Sequence, residues 1–178
     1  MPDIIIAEAV DLAPVERLRP RYNVHYGPDL WRDRAGLETL MANALAIIVR
    51  NATKVDAGLI AASPKLKVIG RHGVGLDNVD VAAARARGIA VCPAIGANSA
   101  TVAEWTIAAA LILLRGKGFL STDRMLAGEW PRPELSTGHE AEAKVFGLVG
   151  LGAIGELTAR KARALGFQPI AYSPSVPV

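Results

Sequence analysis

The chain has 178 residues, 51% of them apolar, and a formal net charge of +3. That is length for one or two domains and enough apolar mass for a packed core, which excludes a disordered segment. The longest apolar run, near residues 107–114, falls far short of the ~20 residues of a bilayer span; no leader-like start is seen and the basic residues are scattered, so neither membrane nor nucleic acid is an expected partner.

Residues 4–8 predict an apolar strand, and residues 11–19 a short helix with Pro14 in its first turn. Residues 22–26 predict a second strand. Residues 34–41 predict a helix with Leu37 and Leu40 inward, and residues 45–49 a third strand ending at Arg50-Asn51. A short helix over 54–61 stops at Ser63-Pro64, and residues 66–70 form the fourth strand. Asp80 caps a helix running to Arg87, Gly88 ends it, and residues 89–92 form the fifth strand. Cys92, the single cysteine, excludes an internal disulfide, fits a reducing cytoplasm, and reads as a small buried hydrophobe. Runs such as Ala46-Ile47-Ile48-Val49 predict strands covered on both faces by helices, hence a doubly wound α/β domain.

Residues 93–98 have the composition of a linker. A long helix follows over 101–114, with Thr101 as cap, Glu104 completing a capping box, and Trp105, Ala108, Leu111 and Ile112 as its apolar face. Residues 121–128 add a helix, Trp130-Pro131-Arg132-Pro133 a rigid turn, and residues 134–143 a polar loop. Arg85 and Arg87, and Arg160, Lys161 and Arg163, read as solvated helix faces.

Two glycine loops carry the chemistry. Residues 145–149 predict a strand that runs into Gly150-Leu151-Gly152-Ala153-Ile154-Gly155, then a helix over 156–165 and a strand over 169–172. This strand–turn–helix–strand order is what a dinucleotide requires. Gly150 permits the tight turn, Gly152 lets a pyrophosphate approach the backbone, and Gly155 lets helix and sheet pack closely. The free amides near Ala153 and Ile154 face the phosphates. The second strand of such a unit ends in a carboxylate for the ribose of NAD; here Ser173 stands there, which leaves NADP open. The other loop, Arg71-His72-Gly73-Val74-Gly75-Leu76-Asp77-Asn78-Val79-Asp80, follows the fourth strand. Its consecutive amides suit a small anion such as a carboxylate, with Asp77 and Asn78 fixing the loop and Arg50-Asn51 adding charge and donors. His25, His72 and His139 lack a carboxylate at informative spacing, so none is expected to be a catalytic base, and they are too far apart for a metal site.

In these pieces the sequence resembles the D-isomer-specific 2-hydroxyacid dehydrogenases: Val49-Arg50-Asn51-Ala52-Thr53, the loop from Gly70 to Asp80, Asn98-Ser99-Ala100-Thr101-Val102-Ala103-Glu104, and Gly147 to Gly155. The resemblance implies a flavodoxin-like substrate domain over residues 1–97. It implies the first half of a Rossmann dinucleotide-binding domain over 98–178. Arg50, Asn51, Gly73 and Val74 would contact substrate, and Asn98 would lie at an interdomain cleft. Thr101, Gly150, Gly152, Ala153, Ile154, Gly155 and Ser173 would contact NAD, or NADP. The substrate would be a small 2-hydroxy or 2-oxo acid; Asn51-Ala52-Thr53 and Gly96-Ala97-Asn98 are similar to members acting on small hydroxyacids, sulfolactate among them. The full-length form would be a cytoplasmic homodimer. Two departures stand out: Ala153 where the family usually has arginine, and Ser173 for the ribose-binding aspartate. The family's catalytic arginine, glutamate and histidine have no counterpart in these 178 residues, so a C-terminally truncated chain without turnover of its own is expected. A non-catalytic α/β fragment that binds only nucleotide or a partner is the alternative, and a flavodoxin-like domain binding phosphate a third.

Overall fold

Five short strands, β1 (Ile4–Ile6), β2 (Val24–Tyr26), β3 (Ala46–Val49), β4 (Val68–Arg71) and β5 (Ala90–Pro93), pair throughout in parallel in the order β2-β1-β3-β4-β5. The coordinates are a computed structural model that describes residues 1–119 and 121–174. Helices α1 (Leu12–Leu18), α2 (Arg34–Met41), α3 (Ala57–Ala61) and α4 (Val81–Ala86) make the crossovers. This is the flavodoxin strand order, whose reversal falls between β1 and β3.

Strand alternation sorts the core into two layers. Ile4 and Ile6 pack with Val15 of α1 and Val24, while Ile5, Ile47, Val49 and Ile69 pack with Leu37, Met41, Leu59, Ile60 and Ala84 of α2, α3 and α4. One helix covers one face and three cover the other, so Ala46 and Ile48 are only half-buried beneath α1. Asp11, Asp33, Asp56 and Asp80 each accept an amide at a helix start, at Ala13, Gly36, Leu59 and Ala83. Cys92 departs from expectation. It is exposed, because β5 is the edge strand of this sheet and no following crossover helix within Met1–Ile95 covers it. Arg87 is not a solvated face residue either: its guanidinium donates to the carbonyls of Ile60, Ser63 (3.1 Å) and Pro64 (3.2 Å), tying the end of α4 to the end of α3.

The chain divides into two compact units, Met1–Ile95 and Gly96–Val178. The second is built from α5 (Ser99–Arg115), α6 (Thr122–Leu126), α7 (Arg132–Leu135), β6 (Val145–Val149), α8 (Ala153–Ala164) and β7 (Gln168–Tyr172). β6 and β7 pair in parallel, from Val145 opposite Gln168 to Val149 opposite Tyr172. Ile107, Ala162 and Phe167 form the core, with Phe146 edge-on to Phe167 at 5.1 Å between ring centres. Four expectations are corrected here. α5 begins two residues earlier than expected, with Asn98 at the cap position and no side-chain cap bond, so Thr101 lies inside the helix. The reason is local: Ser99 N bonds Gly96 O and Val102 N bonds Asn98 O, which starts the helix before Thr101. Glu104 instead pairs with Lys161 of α8 at 3.0 Å, so Lys161 is not simply solvated. The inward stripe is Ala103, Ile107, Leu111 and Leu114, and Trp105 is 73% exposed; α5 is apolar on most sides, so periodicity alone does not select the buried stripe. The turn at 130–133 passes directly into α7, which takes Pro133 into its first turn.

Ile47 is fully buried in the central strand β3. Ile47→Ala is expected to cost about 2–5 kcal/mol in urea unfolding.

Candidate functional site

Parallel strands send every strand-end loop to the same edge of the sheet. Glu8, just past β1, is 5% exposed. Its Oε1 accepts from the amides of Arg50 (2.8 Å) and Thr53 (2.9 Å), and its Oε2 from those of Asn51 (3.2 Å) and Ala52 (3.0 Å). Burial pushes the Glu8 carboxyl up, but the N–H groups of Thr53, Ala52 and Arg50 outweigh it and hold the group below the ordinary glutamate value. Four successive amides converging on one carboxylate wind residues 50–53 into a tight turn after β3.

Asn78 grips the same turn from the loop after β4. Its Nδ2 donates to Thr53 O (2.7 Å) and Arg50 O (3.0 Å), and its backbone O accepts from Val55 N (2.8 Å). Asp80 N returns a bond to Val55 O at 2.9 Å. Asn78 thus fixes the neighbouring loop more than its own. The consequence for Arg50 and Asn51 is specific: their amides are already used, so only their side chains remain for a ligand. Arg50 Nη1 reaches back to Ala9 O at 3.1 Å.

The glycine loop after β4 is different. Gly73 has φ +152°, a backbone conformation that favours glycine, and its N–H bonds Arg71 O at 2.8 Å. Val74 is 48% exposed. Among the described residues the N–H groups of Val74 and Gly75 have no protein partner. Adjacent bare amides on a turn are the donors from which anion-binding concavities are built.

In the second unit, Gly150 has φ +99° and donates to Tyr172 O at 2.7 Å, which pins the turn to the end of β7. Gly152 caps α8, and a Cβ built on it would meet open space, so its surface is free to be approached. A Cβ on Gly155 would come within 2.3 Å of Gly150 O, so that position must be bare for α8 to seat. α8 starts at Ala153, three residues earlier than expected, which places the N–H groups of Ala153, Ile154 and Gly155 in its unpaired first turn. Ser173 follows β7, and Asn98 and Thr101 are exposed at the start of α5. Among the described residues no cluster of His, Cys, Asp and Glu could hold a metal ion.

A five-stranded parallel unit in flavodoxin order, with two unpartnered amides in its β4 loop, is followed by a β-turn-α-β unit with a glycine-rich turn; together they define an α/β class of protein built from two such units. The chain belongs to the D-isomer-specific 2-hydroxyacid dehydrogenase family: the model of that family's catalytic domain matches residues 4–168. It is 47% identical to (S)-sulfolactate dehydrogenase of Chromohalobacter salexigens over 177 residues, 99% of this chain and 57% of that protein. Among solved structures, the TT0316 protein of Thermus thermophilus superposes with a TM-score of 0.85 at 29% identity, over 98% of this chain and 58% of that one. The NAD+-bound 3-phosphoglycerate dehydrogenase of Entamoeba histolytica gives 0.75 at 25% identity, over 98% and 55%. The chain thus spans little more than half the length of these relatives.

Glu8 was not singled out in the sequence, where it sits at the end of a predicted strand. Its signal there is faint: a carboxylate closing an apolar strand, with no cation nearby in sequence. The lowered carboxyl sets the sign of its pH dependence. Its stabilisation is complete above the unfolded value near ~4.3 and is lost as the pH falls through the lower folded-state value. Urea unfolding from about pH 7 to about pH 3 should show the wild type losing stability across that window. Glu8→Gln should start weaker and lose less, and equal slopes would show that another group carries the effect.

Proposed function

We propose that these residues carry the acid-binding and dinucleotide-binding parts of a 2-hydroxyacid dehydrogenase, which moves hydride between NAD(P) and a small 2-hydroxy or 2-oxo acid. The observation that carries the reading is a pair of strand-end glycine loops with unused amides, at Val74–Gly75 and at Ala153–Gly155. The first holds the substrate anion, with Gly73 shaping the turn and the Arg50 and Asn51 side chains beside it. The second holds the cofactor's pyrophosphate on the start of α8. Asn98 and Thr101 contribute from the start of α5.

The residues fit a dinucleotide: Gly152 opens to space, Gly155 is packed against Gly150, and Gly150 takes a positive φ. When bound, the nicotinamide supplies or accepts the hydride. The chain's own part is to fix the acid's carboxylate on one rigid loop and the cofactor's phosphates on another, each ordered before its ligand arrives. Ser173 donates to or accepts from a ribose hydroxyl, and it lacks the charge by which an aspartate would repel a 2′-phosphate, which leaves NADP open beside NAD; the NAD+-bound relative from Entamoeba histolytica supports NAD. The 47% identity with a sulfolactate dehydrogenase, together with Asn51-Ala52-Thr53, supports a small acid of the sulfolactate type. The full-length protein is proposed to be a cytoplasmic homodimer.

Residues 1–178 are proposed to bind without turning over, because among the described residues no histidine is hydrogen-bonded to a carboxylate to exchange the hydroxyl proton. Calorimetric titration of the chain should show NAD binding that Gly155→Ala weakens about tenfold or more, since its Cβ would collide with Gly150 O. Oxidation of NADH with hydroxypyruvate, glyoxylate or sulfopyruvate should be undetectable; a rate near ~1 s⁻¹ would overturn the binding-only reading. Failure to bind either dinucleotide would remove the cofactor assignment.

A further inference from the structure

The arginines of this molecule fall into two groups by how their donors are met. Arg34 is held by Asp56 and Glu38, Arg124 by Glu129 and Glu134, and Arg87 by three carbonyls. Arg71, the last residue of β4, is of the other kind. Its Nε is buried with no hydrogen-bond partner, and its Nη1 makes only a long bond to His72 O at 3.3 Å. Among the described residues no carboxylate is paired with it. A buried charged donor left unmade is costly, and water cannot serve it as it serves an exposed side chain.

The guanidinium lies against the anion loop. A Cβ built on Gly73 would come within 1.4 Å of Arg71 Nη1, so this glycine is bare for a second reason besides its φ: the guanidinium fills the space a side chain would take. The next two residues, Val74 and Gly75, carry the unpartnered amides. A cation with spare donors and two bare N–H groups therefore sit within five consecutive residues. The Asp77 carboxylate lies close to Gly75 but accepts from neither amide nor from Arg71, so all three keep donors for an external anion.

We propose that Arg71 is a substrate-binding residue, adding the charge and donors of its guanidinium to the Val74 and Gly75 amides to hold the carboxylate of the 2-oxo or 2-hydroxy acid. This rests on the reading of the loop as the acid's site. A planar guanidinium suits a planar carboxylate, and charge-assisted bonds exceed neutral ones in strength. The arrangement sets specificity as well: it selects for an acid over an ester or amide of the same shape, because the neutral analogue leaves the cation unmatched.

The test is titration of ¹⁵N-labelled 1–178 with glyoxylate, which carries a carboxylate and no other anion, and in parallel with sulfopyruvate. The Arg71 Nε–H signal and the Val74 and Gly75 amides are expected to move together along one binding curve. Arg71→Gln should raise the Kd for both acids about tenfold or more, and Arg71→Lys should recover part of the loss. Thermal melts establish that each variant is folded. If Arg71→Gln keeps wild-type affinity while the amides still move, the inference fails and the loop assignment survives. If sulfopyruvate alone is weakened, Arg71 holds the sulfonate and the carboxylate assignment is overturned. If neither acid moves the wild-type amides, the loop reading falls and takes this inference with it. Should Arg71→Gln not fold, the wild-type Nε–H signal decides: a signal unmoved by glyoxylate overturns the proposal.

Discussion

A carboxylate taken out of water needs its charge spread over donors, and Glu8 meets that need with four backbone amides in a row. Few other partners would do. A cation would have neutralised the charge without shaping the backbone, whereas amides must bend the chain around the carboxylate to reach it. The turn at residues 50–53 is the result, and Asn78 clamps it from the other side. Loops after β1, β3 and β4 are thereby knitted into one rigid rim, and the direction in which Arg50 and Asn51 leave the backbone follows from it.

The same chemistry is used twice at that rim, with opposite outcomes. At residues 50–53 the amides are consumed by an internal anion, so the loop is closed and structural. At Val74–Gly75 the amides have no partner among the described residues. Glycine content differs as well, since residues 50–53 contain none and residues 73–75 contain two, but a glycine does not by itself leave an amide free: the N–H of Gly73 bonds Arg71 O. What separates them is whether a carboxylate of the protein accepts from the amides: Glu8 does so at residues 50–53, whereas Asp77, whose carboxylate lies close to Gly75, accepts from neither Val74 nor Gly75. The spare donors of Arg71 belong to this unpartnered half.

The second unit solves a different packing problem. Gly155 sits so close to Gly150 that any side chain would hold α8 away from its strand, while Gly152 faces empty space. One glycine is required by contact within the protein, and the other has open space beside it.

Much of the architecture was legible from local patterns. The five strands and their crossovers follow from apolar runs punctuated by Asp caps and Gly or Pro stops, and the nucleotide turn follows from three glycines between a strand and a helix. These are short-range signals, set by backbone dihedrals and side-chain periodicity. The start of α5 and its buried stripe were not legible, because that helix is apolar on most sides and its first hydrogen bonds depend on the turn at Gly96. The exposure of Cys92 needed strand order, which says that β5 is an edge. Glu8 needed most of all: its partners lie 42 to 45 residues away, and only the parallel pairing of β1 with β3 brings that carboxylate to those amides. Sequence alone determined which segments become strands, helices and glycine turns, since those choices are made over a few residues. Tertiary structure decided which amides are spent and which stay free, because that depends on which strand ends become neighbours.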